Sequence, residues 1–366
     1  MAGSALNPAA TLSFTFQILT SRVIFGAGCL EKLPEEIQHL GASKALILST
    51  PEQRQSGLEI VERLGPRAAG LFDRAVMHVP IETAEAAREE ARRLGADCCV
   101  AVGGGSTTGL AKTIALVSDL PILAIPTTYA GSEMTPIWGL TEGGRKTTGR
   151  DPRVLPKTVL YDPSLTVTMP AMLSATSGIN SIAHCTEALY AQEANPIISM
   201  LAEEGIRVFA ESLPVIVAQP ANLAARSQAL YAAWLGGLSL GSVGMALHHK
   251  LCHTLGGSFN LPHAETHTVV LPHAVAYNAP AAPEAMARVA RALGAASAAQ
   301  ALYDLAASLG APVSLAALGM NAGDLDRAAG LAVQNPYYNP RPVTRDGIRT
   351  LLENAYRGAR PGVETA

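Results

Sequence analysis

The 366-residue sequence lacks the marks of several protein classes. No apolar run reaches the roughly 18–20 residues that a bilayer-spanning helix needs. The first residues do not combine a basic region with a continuous apolar one, as a secretory signal would. No basic stretch offers a surface for nucleic-acid phosphates, and the net charge is only −3. These absences predict a cytoplasmic globular protein with neither a membrane nor a nucleic acid as its partner.

Cysteine is also scarce, and its spacing matches neither a metal site nor a redox motif. We therefore expect free, mostly buried thiols in a reducing compartment. Hydrophobic residues make up 48% of the chain, which at this length is enough for two domains and a large core. The five cysteines are Cys29, Cys98, Cys99, Cys185 and Cys252.

Strand and helix patterns alternate in the first half, which predicts a parallel sheet covered by helices on both faces. From about Pro170 the strand patterns end, and segments with a 3.6-residue period continue to the last residues. We predict a Rossmann-like α/β domain over residues 1–168 and an all-helical domain over residues 169–366, with a ligand cleft between them. The strand candidates are LSFTFQ, RVIFG, KALILST, AGLFDRAV, DCCVAVGGG, PILAIPTT and KTVLYDP, with a hairpin in GLTEGGRKTTGR around Gly143-Gly144.

A glycine-rich turn follows the buried strand DCCVAVGGG and opens a helix. Glycines let the backbone approach a pyrophosphate, and the start of a helix offers N–H groups and a positive dipole end. Gly104, Gly105 and Ser106 are therefore predicted to bind the cofactor phosphates, although a plain strand-to-helix turn is the alternative. Lys112, two turns further on, is either an additional phosphate contact or a solvated helix residue.

The next strand ends in PTTYAGSE, whose hydroxyls are candidates for contact with ribose, nicotinamide or substrate. The residues concerned are Thr127, Thr128 and Ser132, and hydrogen bonds within the turn are the alternative. No acid stands in Ser49-Thr50-Pro51, at the end of the strand KALILST, where Thr50 is a further cofactor candidate. An acid there would bind the adenosine ribose and select NADH, so its absence leaves both NADH and NADPH open.

Imidazoles concentrate in two helical segments of the second half. Asn180 and His184 are four residues apart, as are His249 and His253, so each pair shares a helix face. His263 follows shortly afterwards. Any one of these histidines alone could be a structural residue, but four together favour a functional site, and neutral imidazole is a common ligand of zinc and iron.

A second group of candidates lies in NPYYNPRPV, where Tyr337 and Arg341 can bind an anion. A proline-rich loop that only joins two helices explains the same residues equally well.

Together, GGGS with Lys112, PTTYAGSE, Asn180-x3-His184, His249-x3-His253 and Pro262-His263 resemble the group III, iron-containing alcohol dehydrogenase superfamily. That superfamily joins a nucleotide-binding α/β domain to a helical domain, an architecture shared with dehydroquinate synthase, and is usually dimeric. The resemblance implies that the positions of Asn180, His184, His249 and His263 correspond to those that hold a divalent metal. It also implies that His253 lies beside the nicotinamide.

Two departures from the superfamily pattern point to one of its branches. Asn180 replaces the metal-binding aspartate, and Gly109 replaces an acid usually found three residues after the GGGS serine. These changes, with LPHAETH and NPYYNPRPV, are similar to the maleylacetate reductases. The resemblance implies a homodimer that reduces 2-maleylacetate to 3-oxoadipate with NADH or NADPH in aromatic-compound degradation, and that needs no metal.

The chemistry of that reaction assigns expected roles. Hydride adds to the C=C bond, and the resulting enolate needs a hydrogen-bond donor and then a proton. We expect His253 to stabilise the enolate or to donate the proton, with Tyr129 as a second acid candidate. The other residues of the cluster would bind the carboxylate and ketone oxygens of a dicarboxylate substrate; they are Asn180, His184, His249 and His263.

Three other functions stay open. A metal-dependent alcohol or polyol dehydrogenase of the same fold is the nearest, because three histidines alone can bind zinc. A dehydroquinate-synthase-like lyase would need more Lys and Arg near these motifs than the sequence has. A non-catalytic nucleotide-binding protein would not need the dense histidine cluster.

Overall fold

The computed structural model describes residues 13–143 and 145–362. Six short, mostly buried strands of the first half form a parallel sheet. They are β1 (Arg22–Phe25), β2 (Ala45–Leu48), β3 (Ala68–Phe72), β4 (Cys98–Gly103), β5 (Ile122–Pro126) and β8 (Thr158–Tyr161). Their order across the sheet is β1-β8-β5-β4-β2-β3. The carboxyl ends of β4 and β5, where the predicted cofactor loops begin, are therefore neighbours.

Helices cover both faces of this sheet, as predicted. They are α1 (Leu33–His39), α2 (Arg54–Leu64), α3 (Ile81–Leu94) and α4 (Gly105–Ser118). Successive side chains of a strand point to opposite faces. In β2, Leu46 and Leu48 accordingly pack in the core under α3 and α4, whereas Ala45 and Ile47 pack in the core under α1 and α2.

The predicted hairpin is confirmed as an antiparallel pair, β6 (Ile137–Glu142) and β7 (Arg145–Arg150). Gly143 in its turn has φ of 55°, which suits glycine, and Gly144 lies outside the described residues. Ile137 pairs with Arg150 at the base of the hairpin. The hairpin therefore brings Arg150 back to the loop that follows β5.

Helices make up the second half. They are α5 (Ala171–Ala188), α6 (Pro196–Ala218), α7 (Leu223–Ser242), α8 (Leu247–Phe259), α9 (His263–Asn278), α10 (Pro283–Ala292), α11 (Ala298–Ser308), α12 (Leu325–Ala332) and α13 (Arg345–Arg357). Every residue from 174 to 188 is buried, so α5 is the central helix. Among the described residues no single helix is long and apolar enough to cross a membrane; α7 and α8 meet that test only as a pair bent by 95°. The sheet gives way to helices between β8 and α5, and the boundary near residue 168 stays a prediction.

One predicted strand is wrong. RVIFG forms β1, but the described part of LSFTFQ, residues 13–17, has no strand structure. Phe16 packs on the helical core, while Phe14 is 48% exposed. The alternating apolar residues of this segment therefore serve side-chain contacts with the helical half and not backbone pairing within the sheet.

Candidate active site

A cavity of about 980 Å³ lies between the strand ends and the helical half. From the first half it is lined by the loop after β4, the loop after β5 and the β6–β7 hairpin. From the second half it is lined by α5, α8 and the start of α9. Ten of the predicted site residues line it: Gly105, Ser106, Thr128, Ser132, Asn180, His184, His249, His253, His263 and Tyr337.

The glycine turn leads directly into α4. Gly103 has φ of 143°, and a Cβ on Gly104 would lie 2.9 Å from Thr128 Oγ1. A side chain on Gly104 would therefore separate the loops after β4 and β5, and one on Gly103 would meet Gln53 and Thr107. Gly105 and Ser106 line the cavity at the start of this 14-residue helix, where unpaired backbone N–H groups can receive a phosphate.

Three predicted cofactor residues do not line the cavity. Thr127 Oγ1 accepts a hydrogen bond from Gln53 Nε2 at 2.7 Å, so its hydroxyl is bound within the sheet half. Thr50 begins the short turn Pro51–Gln53, and Gly104 lies behind Thr128. Thr128 and Ser132 line the cavity, whereas cofactor contacts by Thr127, Thr50 and Gly104 stay predictions.

Lys112 was predicted to be either a phosphate contact or a solvated helix residue, and its side chain is placed as neither. Its side chain is fully buried, and Nζ donates to Ser132 O at 2.6 Å, Thr135 Oγ1 at 2.9 Å and Ile137 O at 2.8 Å. Burial lowers the pKa of Lys112 to about 7, against the opposing effect of Glu133. All three ammonium donors are used to hold the loop after β5, so none is left for a phosphate.

On the helical side, one face of α5 carries three polar residues at i, i+4 and i+7. Two are Asn180 and His184, and the third is Glu187, which the sequence analysis missed although its spacing shows it. Glu187 is fully buried and accepts from His249 Nδ1 at 2.7 Å. It also accepts from the backbone N–H groups of Ala246 at 2.8 Å and His248 at 2.7 Å. The Glu187 carboxylate therefore orients the His249 ring and also accepts the hydrogen bonds of two backbone N–H groups at the start of α8.

The imidazoles of His184 and His249 stack with ring centroids 5.1 Å apart. Burial, followed by the neighbouring histidines, lowers the pKa of His184 well below its ordinary value, so this ring is neutral at pH 7. His184 Nδ1, His249 Nε2 and Asn180 Oδ1 are buried and have no hydrogen-bond partner in the described protein. Such groups are costly to leave unpaired, which points to a ligand that pairs with them.

His253 stands on the exposed side of α8. Its Nδ1 lies 3.1 Å from the Tyr337 hydroxyl. Burial raises the pKa of Tyr337, which keeps it a phenol able to donate this bond. With Tyr337 as the donor, the ring proton of neutral His253 is on Nε2.

A second layer of histidines, not predicted from the sequence, lies behind these rings. His248 Nε2 is 2.8 Å from His267 Nδ1, with Cys252 Sγ at 3.7 Å from the same His248 nitrogen. Two nitrogen ligands of a tetrahedral zinc would be roughly 3.3 Å apart. The distance is that of a hydrogen bond, and burial lowers the pKa of both rings well below the usual value. This layer is a neutral packed pair behind the cavity.

Comparison with known proteins identifies the family. The iron-containing alcohol dehydrogenase family matches residues 20–163, and the C-terminal region of the Fe-containing alcohol dehydrogenase family matches residues 174–356. This chain belongs to the iron-containing alcohol dehydrogenase family. It is 61% identical to a maleylacetate reductase of Burkholderia cepacia (95% of this chain, 99% of the relative) and 58% identical to one of Sphingobium indicum (96% and 99%). The crystal structure of a maleylacetate reductase from Rhizobium sp. strain MTP-10005 superposes with a TM-score of 0.93 at 54% identity (96% and 100%).

The family name raises the question whether a divalent metal fits here. Among the described residues, one group of three or more His, Cys, Asp or Glu side chains has its donor atoms within 4.8 Å of one another, and it is the second-layer group His248, Cys252 and His267. His184, His249 and His263 do not form such a group, and the fourth position is the amide of Asn180. Glu187, the buried carboxylate on the same face of α5, already accepts three hydrogen bonds. These residues do not fit a divalent cation as they are placed.

Two further assignments are corrected by burial and position. Tyr129 is fully buried, its hydroxyl accepts from Arg226 Nη1 at 3.3 Å, and its ring packs edge-on against Phe209. It is a core residue and not an acid of the cavity. Arg341 stacks on the ring of Tyr277 and donates to its carbonyl at 2.8 Å, beside a separate cavity of about 570 Å³.

Proposed function

We propose that this protein reduces the C=C bond of 2-maleylacetate to 3-oxoadipate with NADH or NADPH. The observation that carries the proposal is the 61% identity, over nearly the full length of both chains, to a maleylacetate reductase. One continuous cavity also joins a phosphate-type helix start at Gly105 and Ser106 to the histidine cluster. Cofactor and substrate can therefore meet in it.

The reaction requires three things of the protein. The nicotinamide must lie against the alkene carbon that receives hydride, the ketone oxygen must be stabilised as it becomes an enolate, and a proton must be delivered to the adjacent carbon. The substrate carries two carboxylates and a conjugated ketone. Conjugation spreads the developing charge, so hydrogen-bond donors can stabilise it.

The residues offer such donors in a defined arrangement. His253, bonded through Nδ1 to Tyr337, presents Nε2–H as the donor to the enolate oxygen and then gives this proton to the adjacent carbon, while the Tyr337 hydroxyl passes its proton to Nδ1 so that the ring stays neutral. The amide of Asn180 and the imidazoles of His184 and His263 donate to carboxylate and ketone oxygens, whereas His249, which gives its Nδ1–H to Glu187, presents Nε2 as an acceptor. Asn180 also adds no negative charge to a cavity that must hold a dianion.

Turnover of maleylacetate tests the proposal directly. NADH oxidation is measured with purified protein before and after exhaustive chelation, with metal content assayed in parallel. We expect full activity in protein that retains less than one-tenth equivalent of metal. Loss of activity on chelation, restored by zinc or iron, would instead favour a metal-dependent alcohol dehydrogenase.

The role of His253 is tested by His253→Ala. We expect kcat to fall by about 10²–10⁴, the contribution typical of a positioned general acid. The exposed His39 on α1 lies outside the cavity lining, so His39→Ala is the matched control and keeps the parental kcat. Near-parental turnover by His253→Ala would remove the proton-donor role.

The choice of NADH or NADPH and the homodimer stay predictions. The ratio of kcat/KM for the two cofactors measures the first. Light scattering on the eluting protein measures the second, with twice the chain mass as the expected value.

A further inference from the structure

Arg150 lies at the base of the β6–β7 hairpin and lines the same cavity as the histidine cluster. Its Nη2 donates to the carbonyl of Gly241 in α7 at 2.5 Å. This bond fixes the guanidinium between the hairpin and the helical half. The side chain is exposed to the cavity, and its other N–H groups are not used in any hydrogen bond to a described residue.

Arg150 differs from the nearby Arg153 in having no carboxylate partner among the described residues. No described carboxylate lies within 4.0 Å of its guanidinium, whereas Arg153, three residues later, pairs with Asp151 at 2.7 Å. Arg150 is also the one Lys or Arg among the described residues that line the cavity. The two acids of the lining are Glu193, which accepts from the N–H of Gly244 at 3.0 Å, and Glu265. The cavity thus contains a fixed positive charge without a counter-ion from the described chain.

We propose that Arg150 binds a carboxylate of the substrate, an inference that rests on the proposed function. A guanidinium matches a carboxylate with two parallel N–H···O bonds, and such charge-assisted bonds are stronger than neutral ones. The neutral ring of His184 and the amide of Asn180 supply single uncharged donors. A dicarboxylate entering a cavity that also holds two acids needs a cation, and Arg150 supplies it.

The cofactor pyrophosphate is the other anion that enters this cavity. Its expected position is the start of α4 at Gly105 and Ser106, where helix N–H groups are available. Arg150 is tied instead to Gly241 on the helical half, the half that carries the histidines. The position of Arg150 therefore favours contact with the substrate over contact with the cofactor phosphates. Separate KM values for maleylacetate and NADH distinguish the two.

The test compares Arg150→Met, Arg150→Lys and the control Arg153→Met. We expect Arg150→Met to raise KM for maleylacetate by roughly 10- to 100-fold, the loss of one charge-assisted contact. KM for NADH should change less than threefold, Arg150→Lys should recover part of the loss, and Arg153→Met should match the parent. A rise in KM for NADH with unchanged KM for maleylacetate would mean that Arg150 binds phosphate and would overturn the proposal, as would no change in either.

Binding without turnover separates this inference from the proposed function. Calorimetric titration of the enzyme–NAD⁺ complex with 3-oxoadipate is expected to show weaker binding in Arg150→Met by a similar factor. If the parent protein fails to reduce maleylacetate, the proposed function is wrong, whatever Arg150 does. If the parent reduces maleylacetate and Arg150→Met binds 3-oxoadipate as tightly as the parent, only the Arg150 inference is wrong. Thermal unfolding of each variant checks that the hairpin remains folded.

Discussion

Each half of the molecule buries a charged residue beside the cavity, Lys112 in the first half and Glu187 in the second, and the two have opposite charges and opposite hydrogen-bonding roles. Lys112 in α4 donates three hydrogen bonds to oxygens of the loop after β5. Glu187 in α5 accepts three hydrogen bonds from nitrogens at the start of α8. Both side chains are 0% exposed. A buried charge is costly unless fully bonded, and both are fully bonded.

The difference between them lies in what their partners do. Every partner of Lys112 is a backbone carbonyl or the hydroxyl of Ser132 or Thr135, so Lys112 shapes the cavity wall. One partner of Glu187 is the ring of His249, which lines the cavity. A carboxylate bonded to one ring nitrogen selects the tautomer and fixes the other nitrogen. A buried, fully hydrogen-bonded charge thus has a purely structural role at Lys112. At Glu187 it has a structural role and also positions a residue of the candidate active site.

Glu187→Gln is expected to have the largest effect. The side-chain N–H₂ of the glutamine would face the N–H groups that now donate to the carboxylate. At least one of these three donors would be left without an acceptor. The free energy of unfolding should fall by about 3 kcal/mol, because each buried unpaired donor costs about 1–3 kcal/mol. We also expect kcat to fall at least about tenfold, as when a residue that orients a catalytic ligand is lost. Urea unfolding and NADH-oxidation kinetics measure the two effects.

Glu193→Gln is the matched control, because Glu193 is exposed and accepts a single backbone hydrogen bond. It should lose less than about 1 kcal/mol of stability. Lower stability with unchanged kcat in Glu187→Gln would place Glu187 in the same purely structural class as Lys112.

Lys112→Met should affect stability and spare catalysis. The substitution removes the three hydrogen bonds to the loop after β5 but also removes a buried charge, so the net loss is expected to be about 2 kcal/mol. The kcat of the folded enzyme should remain within threefold of the parent. Lys157→Met, at an exposed position, is the control for loss of a lysine. A tenfold rise in KM for NADH with parental stability would revive the phosphate-contact role.

A smaller effect is expected in the pH dependence of the free energy of unfolding, to which the buried Lys112 contributes. The pKa of Lys112 is lowered from 10.5 to about 7, so between these values the unfolded chain binds more protons than the folded one. Stability therefore rises with pH in this window, by about 1 kcal/mol from pH 7 to pH 8 for this group. Urea unfolding at the two pH values should show the rise in the parent and its loss in Lys112→Met. Equal slopes would mean that Lys112 is protonated in the folded state at both values.

The sequence was sufficient to predict those secondary-structure elements whose residue pattern is local. Alternation of apolar strands with helices predicted the parallel sheet, and a turn of two glycines between β6 and β7 predicted the hairpin. The strand predicted in LSFTFQ failed because period-two alternation also describes an extended segment whose side chains pack on helices. Phe16 does so here.

At the site, residue type and spacing predicted which side chains meet, but not which way they face. The i, i+4 spacing brought Asn180 and His184 to the cavity with the α8 histidines. Lys112 and Tyr129 sit in equally suggestive motifs, yet their side chains point into the core, which depends on how α4 and α5 pack. Arg150 was missed because only the register of the hairpin returns it to the cavity.

Tyr129→Phe should have the smallest effect on stability and kcat, because Tyr129 belongs to the core beside the cavity and not to the candidate active site. The Tyr129 hydroxyl accepts a long hydrogen bond of 3.3 Å from Arg226, which also donates to Ser174 Oγ at 2.6 Å and Met169 O at 2.8 Å. Because Arg226 keeps these acceptors, we expect a stability loss of no more than about 1 kcal/mol and a kcat within twofold of the parent. Steady-state kinetics beside His253→Ala measure this, and a hundredfold fall in kcat would return Tyr129 to the list of proton donors. The buried hydroxyl has no route to the substrate unless the loop after β5 opens, so such a fall would also require that loop to move during turnover.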